Sequence, residues 1–147
     1  MSADPDYVRA NDDSRARLRT IVERLDRTQL TQSPMPGWSV SALLAHLAFW
    51  DRFNVQRWRS RLAGTQLPAL DVLDDLINDS ALPAWTALPP EVAARDVLAS
   101  AEEGDAFVAG LTPEITSRWL EEGRPRSFYR SEHRREHLDE IERALAR

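Results

Sequence analysis

Apolar residues recur along this chain at steps of three and four, the spacing that places side chains on one face of an α-helix. The clearest series, which follows the seam of a helical bundle, is Val97, Ala101, Gly104, Val108 and Leu111. No segment of the sequence shows a sustained alternation of apolar and polar residues, the pattern of a half-buried β-strand. The sequence therefore predicts an all-α fold.

Four segments have this helical pattern. We predict a first helix over Asp6–Thr28, a second that follows an N-cap at Ser39 and runs to about Ala63, a third that begins near Glu91, and a fourth from about Phe128 to the C-terminus. Four such helices indicate a four-helix bundle. The length of 147 residues is that of one domain, and we expect residues 1–147 to form a single domain.

A long connection, residues 65–90, separates the second and third helices. Within it we predict a short helix, Leu70–Leu82, bracketed by prolines. A connection of this length is uncommon unless it crosses the domain or carries function.

The composition excludes several kinds of chemistry. The chain has no cysteine, so it cannot form disulfides or use its own thiolate as nucleophile or metal ligand. All 19 basic residues are arginine, which excludes a lysine base. The net charge of −5 opposes binding to nucleic acid or anionic membranes, and no stretch approaches the ~18 apolar residues of a membrane span. With no signal-peptide pattern either, we expect a cytoplasmic protein without nucleic-acid or membrane partners.

The only three histidines lie on core-facing stripes of two predicted helices. His133 and His137 are four residues apart, so their imidazoles stack on one helix face, and Ile141 continues that face one turn later. His46 lies three residues after Leu43 on the inward stripe of the second helix. Three imidazoles and one water form a catalytic type of metal site. Buried structural histidines, or an exposed pair at 133 and 137, are the alternatives that spacing alone leaves open.

Two segments carry a resemblance to a known group of proteins. Pro36–Asp51 resembles the helix-2 signature of the DinB-like superfamily, which includes the N-terminal domains of mycothiol-dependent maleylpyruvate isomerases and the bacillithiol transferases. His133–Ile141 resembles its last-helix signature, and Asp74–Asn78 the segment before its third helix. The resemblance implies an up-down-down-up bundle with the crossover at residues 65–90. It also implies a divalent metal, commonly zinc or nickel, bound by His46, His133 and His137.

Two further side chains are candidates for substrate binding. Arg130 lies three residues before His133 on the same face and could pair with an anionic substrate or the carboxylate of a thiol; a solvated surface arginine is the alternative. Trp50, one turn after His46, could wall a pocket or belong to the core. Asp51 could orient a histidine, although a surface position is the simpler expectation. Glu132 and Glu136 are predicted to lie on other helix faces.

These observations favour a metal-dependent enzyme of the DinB type. The metal would activate a low-molecular-weight thiol such as mycothiol or bacillithiol, or a water, for attack on a small electrophile. A chain without cysteine must take that thiol from outside. The alternative is a non-catalytic, stress-related helical binding module whose metal is structural or absent. We expect a small-molecule substrate, and the sequence leaves a homodimer open.

Overall fold

The protein is described by a computed structural model that covers residues 6–67, 73–122 and 124–147. Within these ranges it has helices and no strand, which confirms the all-α prediction. None of the described helices is both long enough and apolar enough to cross a membrane. The helices are α1 (Asp6–Arg24), α2 (Arg27–Thr31), α3 (Val40–Leu62), α4 (Asp74–Ala87), α5 (Pro90–Ala109), α6 (Pro113–Glu121) and α7 (Ser131–Leu145), with a 3-10 turn at Pro125–Ser127.

The first predicted helix is divided in two. Instead of continuing to about Thr28, α1 ends at Arg24, and α2 begins at Arg27. Asp26 caps α2: its carboxylate accepts the N–H of Gln29 at 2.8 Å, and the Gln29 side chain accepts the N–H of Asp26 at 2.9 Å. This capping box starts a new helix and so fixes the break.

Helix α3 follows the prediction closely. Ser39 is its N-cap and accepts the N–H of Ala42 at 3.0 Å, and the helix ends at Leu62. The helix predicted over Leu70–Leu82 begins outside the described residues; within them α4 runs to Ala87 and includes Pro83. The buried Trp85 packs against α3 and accounts for this continuation past the proline.

Two short elements near the C-terminus were not predicted. Thr112 caps α6 and Pro113 begins it, a common combination at a helix start. The predicted fourth helix begins at Ser131 rather than near Phe128, because the 3-10 turn at Pro125–Ser127 precedes it.

The core lies between the long helices. Helix α3 packs mainly on α5, and α1 packs on both α5 and α7. The seam predicted in α5 is buried at Val97, Ala101, Gly104 and Val108, and Leu111 packs at its edge. These contacts bring the middle of α3 against the first turns of α7, where the histidines lie.

Candidate metal centre

The three histidines converge on one point. The Nε2 atom of His46 lies 3.0 Å from that of His133 and 3.2 Å from that of His137, and the latter two are 3.1 Å apart. Helix α3 supplies the first side chain and the first two turns of α7 supply the others. Among the described residues, these three histidines form a group that could bind a metal ion, with one nitrogen atom from each.

Aromatic rings hold His46 in place. The edges of Trp38 and Trp85 meet its ring with centroids 5.4 and 5.3 Å away. Burial is the main reason that the pKa of His46 falls from 6.5 to about 3, and the neighbouring His137 lowers this pKa further. Burial likewise holds the pKa of His133 well below its usual value, with His137 and His46 adding to the effect. Both imidazoles are therefore neutral near pH 7.

Three imidazoles in the neutral form that a metal ligand requires cannot satisfy one another in this arrangement. A neutral imidazole nitrogen either donates a proton or offers a lone pair, so three mutual Nε2 contacts cannot all be hydrogen bonds. The Nδ1 of His137 lies 2.9 Å from a carboxylate oxygen of Glu140, which places its proton on Nδ1 and leaves the Nε2 lone pair facing the cluster. A cation at the centre would use the lone pairs that otherwise face each other.

The spacing of the three nitrogens fits such a cation. Metal–nitrogen bonds of about 2.0–2.1 Å at angles between about 90° and 109° require Nε2 atoms about 2.8–3.4 Å apart. The observed separations of 3.0–3.2 Å fall within this range. The donor set of three imidazoles suits zinc, nickel, copper or iron.

Sequence reasoning missed two residues that support this centre. Glu140 orients His137 from three residues further along α7, the position from which ligand histidines are often held by a carboxylate. Asn78 of α4 accepts a hydrogen bond from the indole N–H of Trp50 at 2.8 Å. Spacing along α7 could have indicated Glu140. Asn78 belongs to the segment that resembles the one before the third DinB-like helix, but that resemblance assigns its side chain no role.

A cavity of about 460 Å³ opens beside the histidines. Trp50 and Arg130, the two predicted substrate-binding residues, both line it. Glu136 also lines it, which corrects the expectation that this carboxylate faces elsewhere. Glu132 lies apart from the cavity lining and pairs with Arg126 at 3.6 Å.

Arg130 is buried rather than a solvated surface arginine. Its Nε donates to Asp51 at 2.9 Å and its Nη1 to the carbonyl oxygen of Arg126 at 3.2 Å. Asp51 is only 4% exposed, so the simpler expectation of a surface position is wrong. Its second oxygen accepts from Arg134 at 3.4 Å, and its hydrogen-bond partners are arginines rather than a histidine.

Arg134, which sequence reasoning passed over, lies at the centre of this ion-pair network. It is 1% exposed and donates to both carboxylate oxygens of Asp105 on α5 at 3.0 Å. Arg15 of α1 also donates to Asp105, at 2.8 Å. The network therefore joins α1, α3, α5 and α7 directly behind the histidine-bearing turns of α7.

Comparison with known proteins agrees with this arrangement. The mycothiol maleylpyruvate isomerase N-terminal domain matches residues 12–142, a range that includes all three histidines. No curated protein and no solved structure gives a significant match. The matched range also contains Pro36–Asp51 and His133–Ile141, the segments that resemble DinB-like signatures. The chain therefore belongs to the mycothiol maleylpyruvate isomerase N-terminal domain family of the DinB-like superfamily.

Proposed function

We propose that His46, His133 and His137 bind one divalent metal ion, with zinc or nickel as the first candidates, and that the protein is a metal-dependent enzyme acting on small molecules. The observation that carries this proposal is the convergence of three Nε2 atoms beside an open cavity. The donor set contains three protein ligands among the described residues, which is typical of catalytic rather than closed structural sites.

When bound, a divalent metal lowers the pKa of a coordinated thiol or water and so supplies a nucleophile at neutral pH. The protein has no cysteine, so a thiol nucleophile would be an external compound such as mycothiol or bacillithiol. The remaining tasks belong to this chain's own residues, which bind and orient the reactants.

Three kinds of side chain line the cavity. Trp50 and Phe53 give it an aromatic side that can cover an apolar part of a substrate. Arg126 lines it with an exposed guanidinium that can pair with a carboxylate. Arg130 also lines it, but its Nε and Nη1 are engaged by Asp51 and by the carbonyl oxygen of Arg126, so a substrate would pair with its Nη2. The carboxylate of Glu136 also lines it and can accept a proton from an incoming thiol or water. The lining also includes Asp74 and Asp75 of α4, so an anionic group of a small molecule would bind on the side of Arg126 and Arg130.

The finer architecture is part of the same proposal. We infer a single domain formed as an up-down-down-up four-helix bundle, with α1, α3, α5 and α7 as its members and α4 in the crossover. The packing of α3 on α5 and of α1 on α7 supports it.

The first experiment measures metal content and affinity. Protein purified without chelators should contain close to one metal ion per chain by elemental analysis. His46→Ala should bind cobalt at least about tenfold more weakly, because two imidazoles cannot replace three ligands. Glu142→Gln, a change of an exposed residue on the same helix as two of the ligands that pairs with Arg17 rather than with a cavity residue, is the matched control and should bind as the parent does. Equal affinity of His46→Ala and the parent would contradict the proposed ligand set.

The second experiment asks which nucleophile is used. Mycothiol, bacillithiol and glutathione are titrated separately into the cobalt-loaded protein, and sulfur coordination is read from charge-transfer absorption. The proposal expects one thiol to produce this band and to be conjugated to a model electrophile. If all three leave the spectrum unchanged, the thiol reaction is wrong, and hydrolysis of small esters or amides becomes the activity to assay.

A further inference from the structure

Two of the three histidines depend on how the start of α7 is held. His133 and His137 lie in the first two turns of this helix. The N–H groups at the start of an α-helix have no acceptor within the helix, and a polar side chain at the N-cap usually supplies one. The N-cap of α7 is Arg130, whose side chain makes no such bond. The start of α7 therefore needs an acceptor from elsewhere in the protein.

Asn11 of α1 supplies it. Its side-chain oxygen accepts the backbone N–H of Arg130 at 2.8 Å and that of Ser131 at 3.1 Å. Its amide nitrogen donates to the carbonyl oxygen of Phe128 at 2.7 Å. The N–H of Arg130 also lies 3.1 Å from that same carbonyl oxygen, so the Asn11 oxygen is its nearer acceptor. One amide thus binds the backbone at three residues of the segment that enters α7.

Asn11 is suited to this task because it is buried and both the oxygen and the nitrogen of its amide form hydrogen bonds. The residue is 1% exposed, so its hydrogen bonds do not compete with solvent. Both its oxygen and its amide nitrogen are engaged by backbone groups more than 110 residues away in sequence. The bonds of this side-chain amide end two residues before His133 and involve no imidazole nitrogen, and the backbone carbonyl of Asn11 also accepts from the side chain of Arg134.

We propose that Asn11 is a positioning residue for the histidine cluster, which fixes the start of α7 so that His133 and His137 face His46 before any metal is bound. The expected consequence, a higher metal affinity, rests on the proposed metal site. The preorganisation of the start of α7 can be measured without metal. Asn11 lies on α1, which, like α5, carries no histidine.

The first test uses the unaltered protein and hydrogen exchange. The N–H groups of Arg130 and Ser131 should be protected in the metal-free protein to the same degree as after addition of zinc, because Asn11 rather than the metal binds them. If these two groups exchange rapidly without metal and become protected only when zinc is added, the metal assembles the site and the proposal is wrong.

The second test separates positioning from simple stability. Asn11→Ala should lower cobalt affinity by about 10-fold or more, measured well below its melting temperature, and should broaden or shift the cobalt absorption bands. Leu18→Ala is the matched control: Leu18 is a buried residue on the same helix, two turns later, and it packs in a different core cluster from Phe128. At a comparable loss of melting temperature, this control should keep cobalt affinity and spectrum close to those of the parent. Equal loss of affinity in both variants would show that stability alone accounts for the effect.

A third variant tests the acceptor. Asn11→Asp keeps the oxygen that accepts from Arg130 and Ser131 but removes the donor to Phe128, and it should bind cobalt more tightly than Asn11→Ala. Affinity no better than that of Asn11→Ala would contradict capping as the means of positioning. A parent protein that binds no zinc or cobalt would overturn the proposed function, whereas the hydrogen-exchange result in metal-free protein would still decide the role of Asn11.

Discussion

Replacing Asp51 by Asn should destabilise the protein strongly. Asp51 accepts hydrogen bonds from Arg130 and Arg134, and all three side chains are buried. The change removes the carboxylate that pairs with Arg130, and it leaves Arg134 paired with Asp105, which also accepts a hydrogen bond from Arg15. Removing one partner of a buried ion pair costs about 3–5 kcal/mol, because the other charge stays desolvated. For a chain of this length, that corresponds to a melting temperature lower by roughly 10–20 °C.

An exposed ion pair that also involves a residue of α3 provides the control. Arg52 of α3 pairs with Asp96 of α5, but their side chains are 46% and 33% exposed. Asp96→Asn should therefore cost less than about 1 kcal/mol. Urea unfolding of both variants without metal at pH 7, followed by circular dichroism, measures the difference. Equal losses, or a loss below about 1 kcal/mol for Asp51→Asn, would refute the reasoning from burial.

Three further predictions concern pH, metal removal and the cavity. Because the folded pKa of His46 is lowered to about 3 while the unfolded value is about 6.5, the unfolded chain binds an extra proton between them. Metal-free protein should be most stable above about pH 6.5. As the pH falls below this value, the free energy of unfolding should decrease by up to about 1.4 kcal/mol per pH unit because of this group. Urea titrations should show that the free energy of unfolding depends less on pH in His46→Asn. Chelation should lower the melting temperature by mass action yet leave the far-ultraviolet circular dichroism of a helical protein. Arg126→Gln should weaken binding of a carboxylate ligand by calorimetry with a stability change within about 0.5 kcal/mol, whereas Arg130→Gln should reduce stability itself.

The long helices were predictable from periodicity, whereas the joining of the three histidines into one site was implied by the resemblance to the DinB-like signatures. A stripe repeated over several turns identifies a helix face, and the histidines lie on those stripes. Helix ends depend instead on single side chains. The break before Arg27 follows from the capping pair Asp26 and Gln29, and the start of α6 follows from Thr112. Such caps are local signals that a search for apolar stripes overlooks.

The buried polar network could not be predicted in the same way. Charged residues are mostly exposed, so Asp51 and Arg134 are assigned to the surface unless their partners are known. Their pairing joins positions 83 residues apart, and Asn11 reaches the start of α7 across more than 110. No local pattern in the sequence indicates pairs of residues that are so far apart along the chain. The network becomes visible only when the helices are packed.

The two faces of α7 explain why the site can be both rigid and free to bind a ligand. Successive residues on an α-helix point about 100° apart, so His133 and Arg134 face different neighbours although they are adjacent. Arg134 faces the buried carboxylates of Asp51 and Asp105, while His133 lines the cavity. The bonds that hold α7 therefore use none of the imidazole nitrogens that would bind a metal. It follows that α7 keeps its place whether or not the centre is occupied, so metal binding need not supply the energy that orders its own ligands.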